Sequence, residues 1–165
     1  IRQLIDAPDI MPTLLGLAGL TVPPSCQGSD FSRVVLGSGA ADPQGAALLN
    51  LPVSFVQARR CGFAEYRGLR TQRYTYVRSI HSPWLLYDNQ ADPYQMRNLC
   101  GRPEHAALQK RLDGMLEARL RRLKDDFLPG QRYLERAGLQ HYREVNTPAG
   151  SCASPWGDWK ATMKG

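Results

Sequence analysis

Residues 85–99 read Leu-Leu-Tyr-Asp-Asn-Gln-Ala-Asp-Pro-Tyr-Gln-Met-Arg-Asn-Leu, and this stretch decides the fold that the sequence predicts. Its apolar start is typical of the end of a β-strand. Asp88, Asn89 and Asp92 can accept hydrogen bonds from nearby backbone N–H groups, and Pro93 fixes φ and prevents the strand from continuing. The stretch therefore predicts a connection that takes the chain from a sheet into a helix.

The expected helix follows at residues 103–124, where Pro103 suits the first helical position. An apolar stripe at helical spacing is formed by Leu108, Leu112, Met115, Leu116, Leu120 and Leu123. The opposite face is charged and comprises Lys110, Arg111, Glu117, Arg119, Arg121 and Arg122. Glu117 and Arg121 have a favourable i,i+4 spacing. We expect this helix to pack on a sheet, with Gly114 allowing close packing at its middle.

The expected sheet precedes the connection, in residues 51–88, which are rich in β-branched and aromatic residues. Four short strands are predicted, at residues 53–56, 63–70, 73–78 and 84–87.

The central two predicted strands form a hairpin around Thr71-Gln72. With the turn centred there, Leu69 would face Tyr74 and Arg67 would face Tyr76. A longer loop stays open as an alternative, because the turn lacks the Asn-Gly or Gly-Gly that two-residue loops prefer.

The N-terminal part of the chain predicts a helix over residues 6–20. Asp9 suits its N-cap, Pro12 its first turn and Gly19 its C-terminal stop. One apolar face is formed by Ile10, Leu14, Leu17 and Ala18. A linker rich in Gly, Pro, Ser and Ala follows, and a short helix is expected over residues 131–140.

The composition is that of an ordinary globular protein: 42% of the 165 residues are hydrophobic and 22% are charged. This length allows one core, or one core with an appendage. No apolar run approaches the ~20 residues of a membrane span. The net charge is +6, and 17 of the 21 basic residues are arginine, whose planar fork suits sulfate, phosphate or carboxylate oxygens. A solvated basic surface is the favoured explanation of this charge, with an anionic substrate or partner as the alternative.

The four cysteines, Cys26, Cys61, Cys100 and Cys152, have neither a CxxC pair nor the Cys/His spacing of a zinc site. A disulfide stays open, with Cys61 and Cys100 as the favoured pair because both flank the same predicted sheet.

Three of these segments resemble sulfatases, in the alkaline-phosphatase-like superfamily. Residues 85–99 resemble the signature LYDL…DP.E..NL, and residues 66–76 resemble the hairpin wRavRTdryKYi, with Thr75 where many members have Lys. Residues 9–20 are similar to the helix D.-PTLL-LAG that closes the large α/β domain. Residues 27–37 match the family linker dGrSL…L.G loosely. The resemblance covers roughly residues 5–125.

The resemblance implies an α+β fold: a small antiparallel sheet packed by a long helix, as the C-terminal subdomain of an α/β alkaline-phosphatase-like sulfatase whose N-terminal α/β domain is mostly missing. On this interpretation residues 1–24 end the large domain, 25–50 are a linker, 51–128 are the subdomain and 129–165 are a C-terminal extension. The start at Ile1 fits the expectation of a fragment.

The family resemblance also implies a formylglycine nucleophile, made from the Cys or Ser of a Cys/Ser-x-Pro-x-Arg motif, and a bound Ca²⁺. No such motif occurs in this sequence, and the nearest match, at Cys152, has its proline one place late. Asp6 and Asp9 are better explained as helix-start residues, and Asp125-Asp126 lacks a third acidic partner. We therefore expect no catalytic residue, no metal ligand and no bound cofactor in this chain, and an inactive fragment.

Substrate contact is the role that the resemblance leaves to this chain, because loops of the small sheet can border the cleft. His81 and Trp84, in the loop between two strands, are predicted to contact the group that bears the sulfate. Tyr66 and Arg67 are weaker candidates, with packing inside the hairpin as their alternative. The implied partners are a sulfated small molecule or glycan and the missing N-terminal domain. Neither nucleic acid nor a membrane span is expected, and the compartment implied is periplasmic or secreted.

Two alternatives stay open. The parent can be a related phosphodiesterase or phosphonate hydrolase, since these share the scaffold. The chain can also be a stand-alone basic module that binds anionic polymers. An exposed apolar face on Ile10, Leu14 and Leu17 would favour a truncated enzyme over such a module.

Overall fold

The computed structural model describes residues 3–42, 45–53 and 65–140 of the chain. Within these ranges one antiparallel sheet has the order β1-β2-β3-β4, with strands Ala47–Leu51, Tyr66–Arg70, Tyr74–Ser79 and Pro83–Asp88. The α-helices are α1 (Ala7–Leu17), α2 (Ser32–Val35), α3 (Ala106–Leu123) and α4 (Gly130–Arg136), and a 3-10 turn at Pro103–His105 leads into α3. The predicted α+β class, with a small antiparallel sheet and one long helix, is confirmed.

The core lies between α3 and one face of the sheet. Its buried members are Leu69, Tyr76, Leu86, Leu112, Leu116 and Leu120. Leu108 and Met115 pack against this cluster while partly buried, so the predicted apolar stripe is confirmed. The predicted close packing at Gly114 is wrong, because that residue is exposed and a Cβ placed on it would meet nothing within 4 Å.

The β2–β3 hairpin has a different register from the predicted one. Leu69 pairs with Tyr76, and the chain turns through the four residues from Thr71 to Tyr74. The longer loop forms because three hydrogen bonds join Thr71 to Tyr74. The Thr71 N–H and Oγ1 donate to the Tyr74 carbonyl at 2.8 and 3.1 Å, and Oγ1 accepts from the Tyr74 N–H at 2.8 Å. The shift is two residues, so every side chain keeps the predicted face.

Residues 85–99 turn the chain away from the sheet as the sequence predicts. Asp88 Oδ1 accepts from the N–H groups of Gln90 and Ala91 at 3.1 and 3.3 Å. Asp92 Oδ2 accepts from the N–H of Arg97 at 2.7 Å. These side-chain bonds replace the strand ladder and hold the turn.

The end of the same stretch covers the outer edge of β4. Asn98 Oδ1 accepts from the Leu86 N–H, and Asn98 Nδ2 donates to the Trp84 carbonyl, both at 2.9 Å. The Leu99 N–H then donates to the Leu86 carbonyl at 2.8 Å. The side chain of Asn98 therefore takes the place of a fifth strand and satisfies backbone groups that an open edge would expose.

Helix α2 and all of β1 except Leu51 lie inside residues 25–50, which were predicted to be a linker. Ala47, Leu48, Leu49 and Asn50 have weak β preference as a group, which hid β1 from the pattern. The strand predicted at residues 53–56 falls, apart from Val53, outside the described residues.

Helix α1 lies inside the predicted range of residues 6–20, but its N-cap differs from the predicted one. Asp6, not Asp9, is its N-cap residue, and Asp9 is the third helical residue, whose Oδ2 accepts from the Asp6 N–H at 3.0 Å. Pro8 occupies the first turn, while Pro12 lies in the helix interior. The prediction was wrong because two Asp residues three apart both fit an N-cap.

The apolar side of α1 faces solvent. The helix buries Asp9, Pro12 and Thr13. Thr13 Oγ1 accepts from the Phe31 N–H at 3.1 Å, which ties that buried side to the segment before α2. The exposed fractions of Ile10 and Leu14 are 50% and 60%. The predicted apolar stripe exists, but the described residues do not cover it.

Two further expectations concern membranes and cysteines. No helix in the described ranges combines the length and hydropathy that crossing a membrane requires. Cys26 and Cys100 are free thiols. Cys61 and Cys152 lie outside the described residues, so the expected Cys61–Cys100 bond involves a residue that the structure does not describe.

Candidate functional site

His81 lies at the exposed tip of the β3–β4 turn. Ser79 builds this turn: its Oγ accepts from the N–H groups of His81 and Ser82 at 3.2 and 3.1 Å and donates to the Ser82 carbonyl at 3.1 Å. The Ile80 N–H donates to the Glu65 carbonyl at 3.1 Å, which fixes the turn against the start of β2. The imidazole is thus presented on a backbone held by several hydrogen bonds.

Trp84 lies at an irregularity in β4. Val77 pairs with Leu85 and Arg78 pairs with Pro83, so Trp84 is an extra residue in the ladder. Its ring packs against Tyr66 of β2, with ring centroids 6.0 Å apart and the planes tilted by 59°. Both rings are half-buried. Trp84, which follows His81 by three residues, therefore packs at this bulge against Tyr66, the weaker candidate.

The chemistry available at this turn is binding and orientation. An imidazole and an indole N–H can donate hydrogen bonds to anionic oxygens, and the two aromatic rings offer an apolar surface. The arrangement fits ligand contact better than bond cleavage.

Arg67 is buried, with a side chain that is 2% exposed. Its Nε donates to Asp125 Oδ2 at 2.6 Å, and its Nη2 donates to Asp125 Oδ1 at 3.2 Å and to the Tyr133 hydroxyl at 3.1 Å. The guanidinium also lies 4.9 Å from the Phe127 ring centroid. Arg67 is therefore packed, but mainly against residues that follow α3 and not inside the hairpin as predicted, and a ligand in solution does not reach the guanidinium.

The Arg67 network sets the ionisation of Asp125. Burial by itself raises the pKa of Asp125, but hydrogen bonds from Arg67, from the Phe127 N–H and from Tyr133 outweigh burial and hold the pKa below its ordinary value. The Asp125 carboxylate is therefore charged, and both of its oxygens accept hydrogen bonds from these donors. No local sequence pattern predicts this network, because 58 residues separate Arg67 from Asp125.

The described residues do not suit a metal ion. No group of three or more His, Cys, Asp or Glu side chains converges within the described ranges. Asp125 is paired with Arg67, and Asp126 Oδ2 accepts from Arg136 at 3.1 Å. A Ca²⁺ ion requires several free oxygen ligands, so these residues do not fit the ion that the family resemblance implies.

A polar junction joins α1 to the sheet and to α3. Asp6 Oδ2 accepts from the Leu48 N–H at 3.0 Å and from Arg119 Nη2 at 3.3 Å. Arg119 is therefore not part of the solvated basic face to which the sequence analysis assigned it. Burial, followed by the neighbouring Asp9 carboxylate, raises the pKa of Asp6 above its ordinary value, although the Leu48 N–H and Arg119 oppose the shift.

Comparison with known proteins places these elements in one family. Residues 1–123 match the protein family described as "N-sulphoglucosamine sulphohydrolase, C-terminal". An ulvan-active sulfatase from Formosa agariphila is 34% identical in an alignment 165 positions long that covers 94% of this chain. A protein solved in complex with its substrate D-glucosamine-2-N,6-O-disulfate has a TM-score of 0.59 and 29% identity over 74% of this chain. A phosphonate monoester hydrolase from Silicibacter pomeroyi has a TM-score of 0.54 and 27% identity over 73% of this chain.

The matches cover only part of each relative. The chain spans 31% of the ulvan-active sulfatase, 25% of the protein solved with the glucosamine disulfate and 26% of the phosphonate monoester hydrolase. The likeness therefore concerns a part of larger proteins.

Proposed function

The chain belongs to the N-sulphoglucosamine sulphohydrolase C-terminal family, and from this membership we propose that it is the C-terminal portion of a sulfatase. The parent enzyme hydrolyses a sulfate ester, so that RO–SO₃⁻ and water give an alcohol and sulfate. Its formylglycine nucleophile and its Ca²⁺ ion lie outside this chain, whose described residues do not suit a metal, and the chain alone is inactive. No bond-breaking step is assigned to the residues described above.

The exposed apolar side of α1 carries this proposal. Ile10, Met11 and Leu14 are 50%, 56% and 60% exposed, although the opposite side of the same helix is packed. Contiguous exposed apolar side chains of this kind mark an interface. The occupant proposed is the α/β domain of the same enzyme, which agrees with the 31% of the ulvan-active relative that the chain spans. A stand-alone basic module would have no use for this face.

The division of the chain follows from the same proposal. Residues 1–24 end the large α/β domain and lead into a linker. The small subdomain starts at β1, at Ala47 and not at residue 51, because β1 pairs with β2 over its full length. Residues 129–165 form the C-terminal extension, of which α4 is the described part.

The substrate proposed is a sulfated sugar. The solved relative with D-glucosamine-2-N,6-O-disulfate supports this class at 29% identity. His81 and Trp84, with Tyr66 beside them, are proposed to contact the sugar that bears the ester. Aromatic rings and an imidazole on a fixed turn can orient a sugar without taking part in the chemistry.

The test of this contact uses the enzyme translated from the complete reading frame. His81→Ala and Trp84→Ala are expected to raise KM for a sulfated glucosamine by about tenfold while changing kcat little, as the loss of a binding contact does. The matched control is Tyr94→Ala, which removes a side chain that is 86% exposed and lies on the β4–α3 connection. Equal KM values in all three variants would refute the assignment.

A phosphonate monoester hydrolase is the second candidate parent, favoured by the 27% identity to the Silicibacter pomeroyi enzyme. An aryl sulfate and an aryl phosphonate monoester, offered to the same complete enzyme, separate the two. The sulfatase proposal predicts a higher kcat/KM for the sulfate, and a reversed preference would contradict it.

A further inference from the structure

A groove runs along one flank of α3, and two cavities form it. The larger, of about 570 Å³, lies between α3 and the N-terminal segment and is lined by Met115, Ala118, Arg119 and Arg122 among others. The smaller, of about 160 Å³, is lined by Arg73, Tyr74, Arg111 and Met115 among others. Met115 lines both cavities, so they are neighbours along the helix. We call this surface the α3 groove, and its α3 members 111, 115, 118 and 122 share one stripe at helical spacing.

Two guanidinium groups of the α3 groove lack partners. Arg111 and Arg122 are exposed, and neither makes an ion pair with any residue in the part of the chain that the structure describes. Arg73 adds a third cation, since its Nε and Nη2 bond Asp88 while the side chain stays 51% exposed over the Tyr74 ring. Arg119 lies deeper and is paired with Asp6.

The acidic side chains of the groove do not cancel this charge. Asp9 is 5% exposed, and its two oxygens accept from the N–H groups of Ser29 and Asp6. Asp42, the other carboxylate among the lining residues, is exposed, but the guanidinium groups of Arg111 and Arg122 outnumber it. The accessible rim is therefore positive, while Leu69, Met115 and Ala118 supply apolar floor.

The spacing of the unpaired arginines indicates the shape of a ligand. Arg111 and Arg122 are 11 residues apart on one helix, which at 1.5 Å per residue is about 16 Å along its axis. A single sulfate ion does not span that distance, whereas an extended chain with repeated anionic groups does. The larger cavity has the size of sites that hold small ligands, which are roughly 300–1,000 Å³.

We propose that the α3 groove binds a sulfated saccharide chain at a site separate from the β3–β4 turn. Arg111 and Arg122 bond sulfate groups at its two ends, and Arg73 supports the Arg111 end. Guanidinium groups suit sulfate because their N–H donors match pairs of anionic oxygens. The choice of sulfate among anions rests on the proposed function, whereas the presence of an anion site rests on the groove alone.

The test measures binding of a heparin hexasaccharide to the full chain, with its desulfated counterpart and a single-stranded oligonucleotide as comparison probes. Arg111→Gln/Arg122→Gln is expected to raise Kd by about tenfold, because two charge-assisted contacts are lost. The matched control is Arg121→Gln/Arg132→Gln, which makes the same change of charge on side chains that are 73% and 66% exposed outside the groove. All four arginines are exposed, and circular dichroism checks that each variant is folded.

A tenfold loss in the groove variant, a control within twofold of the parent chain and no binding of the desulfated probe would support the proposal. Equal loss in both variants would refute it, since only net charge would then matter. Tighter binding of the oligonucleotide would refute it in favour of a nucleic-acid partner. Binding is measured without turnover, so the two proposals can fail separately. Heparin binding by a chain whose complete enzyme lacks sulfatase activity would support the groove and refute the proposed function. Sulfatase activity without heparin binding at the groove would refute the groove alone.

Discussion

The sheet unit (β1–β4 with α3) and the N-terminal unit (α1 and α2) differ in how far they bury their apolar side chains. In the sheet unit, Tyr76, Leu86 and Leu116 are 0% exposed. In the N-terminal unit the largest apolar side chains point outward, with Leu14 60% and Leu36 68% exposed. Among the described residues, the sheet unit therefore has a buried apolar core of its own and the N-terminal unit does not. The N-terminal unit presents half of an interface.

The largest expected effect comes from one leucine of each unit. Leu116→Ala should lower the free energy of unfolding by about 4 kcal/mol, since truncation of a fully buried leucine loses transfer energy and leaves a cavity. Leu14→Ala removes the same atoms from an exposed position and should change the free energy of unfolding by less than about 0.5 kcal/mol in the full chain. Urea unfolding measures both. Equal losses would show that Leu14 is covered, and the comparison would fail.

The Arg67 network should give the next largest effect. Arg67→Leu removes a guanidinium that is 2% exposed and leaves the half-buried Asp125 carboxylate without its main donor, so the free energy of unfolding should fall by about 3 kcal/mol. Arg73→Leu also breaks an Arg–Asp pair, but Arg73 is 51% exposed and the loss should stay below about 1 kcal/mol. Urea midpoints of the two variants separate a buried pair from a surface pair. A loss for Arg73→Leu as large as that for Arg67→Leu would contradict this ranking.

A substitution on the solvent side of α3 is expected to raise the free energy of unfolding. Gly114→Ala should raise the free energy of unfolding by about 1 kcal/mol, because glycine is unfavourable in a helix and the added methyl meets nothing within 4 Å. Gly68→Ala should do the opposite, since a Cβ there would lie 2.8 Å from Val77 Cγ2. Thermal unfolding measures both changes. A destabilised Gly114→Ala would mean that the outer face of α3 is also covered.

The two units should also respond differently to pH. The pKa of Asp88 is lowered by its hydrogen bond from Arg73, so its contribution to stability is present above about pH 3.8 and is lost as the pH falls through the folded-state pKa. The pKa of Asp6 is raised, chiefly by burial, so its contribution falls as the pH rises from 3.8 through the folded-state pKa.

Asp88→Asn should therefore flatten the loss of stability at low pH, whereas Asp6→Asn should flatten a slope of opposite sign at higher pH. Urea midpoints between about pH 2 and pH 7 resolve the two slopes. Parallel pH profiles for the two variants would contradict the assigned directions.

The sequence predicted the parts of the fold that repeat with a period. The α3 stripe from Leu108 to Leu120 follows from helical spacing alone, and the Asp and Pro residues of 85–99 predict the turn into α3. The hairpin register was wrong because the side chain of Thr71, and not a turn dipeptide, closes the loop. Strand β1 was missed because its Ala and Leu residues have no strand pattern of their own and pair only through β2.

The candidate site was less accessible to sequence reasoning. The pattern indicated His81 and Trp84 only through the family resemblance, and their contact with substrate stays a prediction. The contact between Trp84 and Tyr66 depends on a β-bulge that no residue type in the sequence predicts. The burial of Arg67 depends on Asp125 and Tyr133, which come from distant parts of the chain. The exposed side of α1 was visible as a stripe, but its lack of cover required the structure.

Oxidative labelling of methionine in the full chain, and in the enzyme translated from the complete reading frame, tests the central claim most directly. Met11 of α1 is 56% exposed, and Met96, on the connection to α3, is 80% exposed and serves as the internal control. The account predicts that both are oxidised readily in the chain alone, and that Met11 becomes protected in the complete enzyme while Met96 stays reactive. Equal reactivity of Met11 in the two proteins would contradict the claim that α1 docks on the catalytic domain.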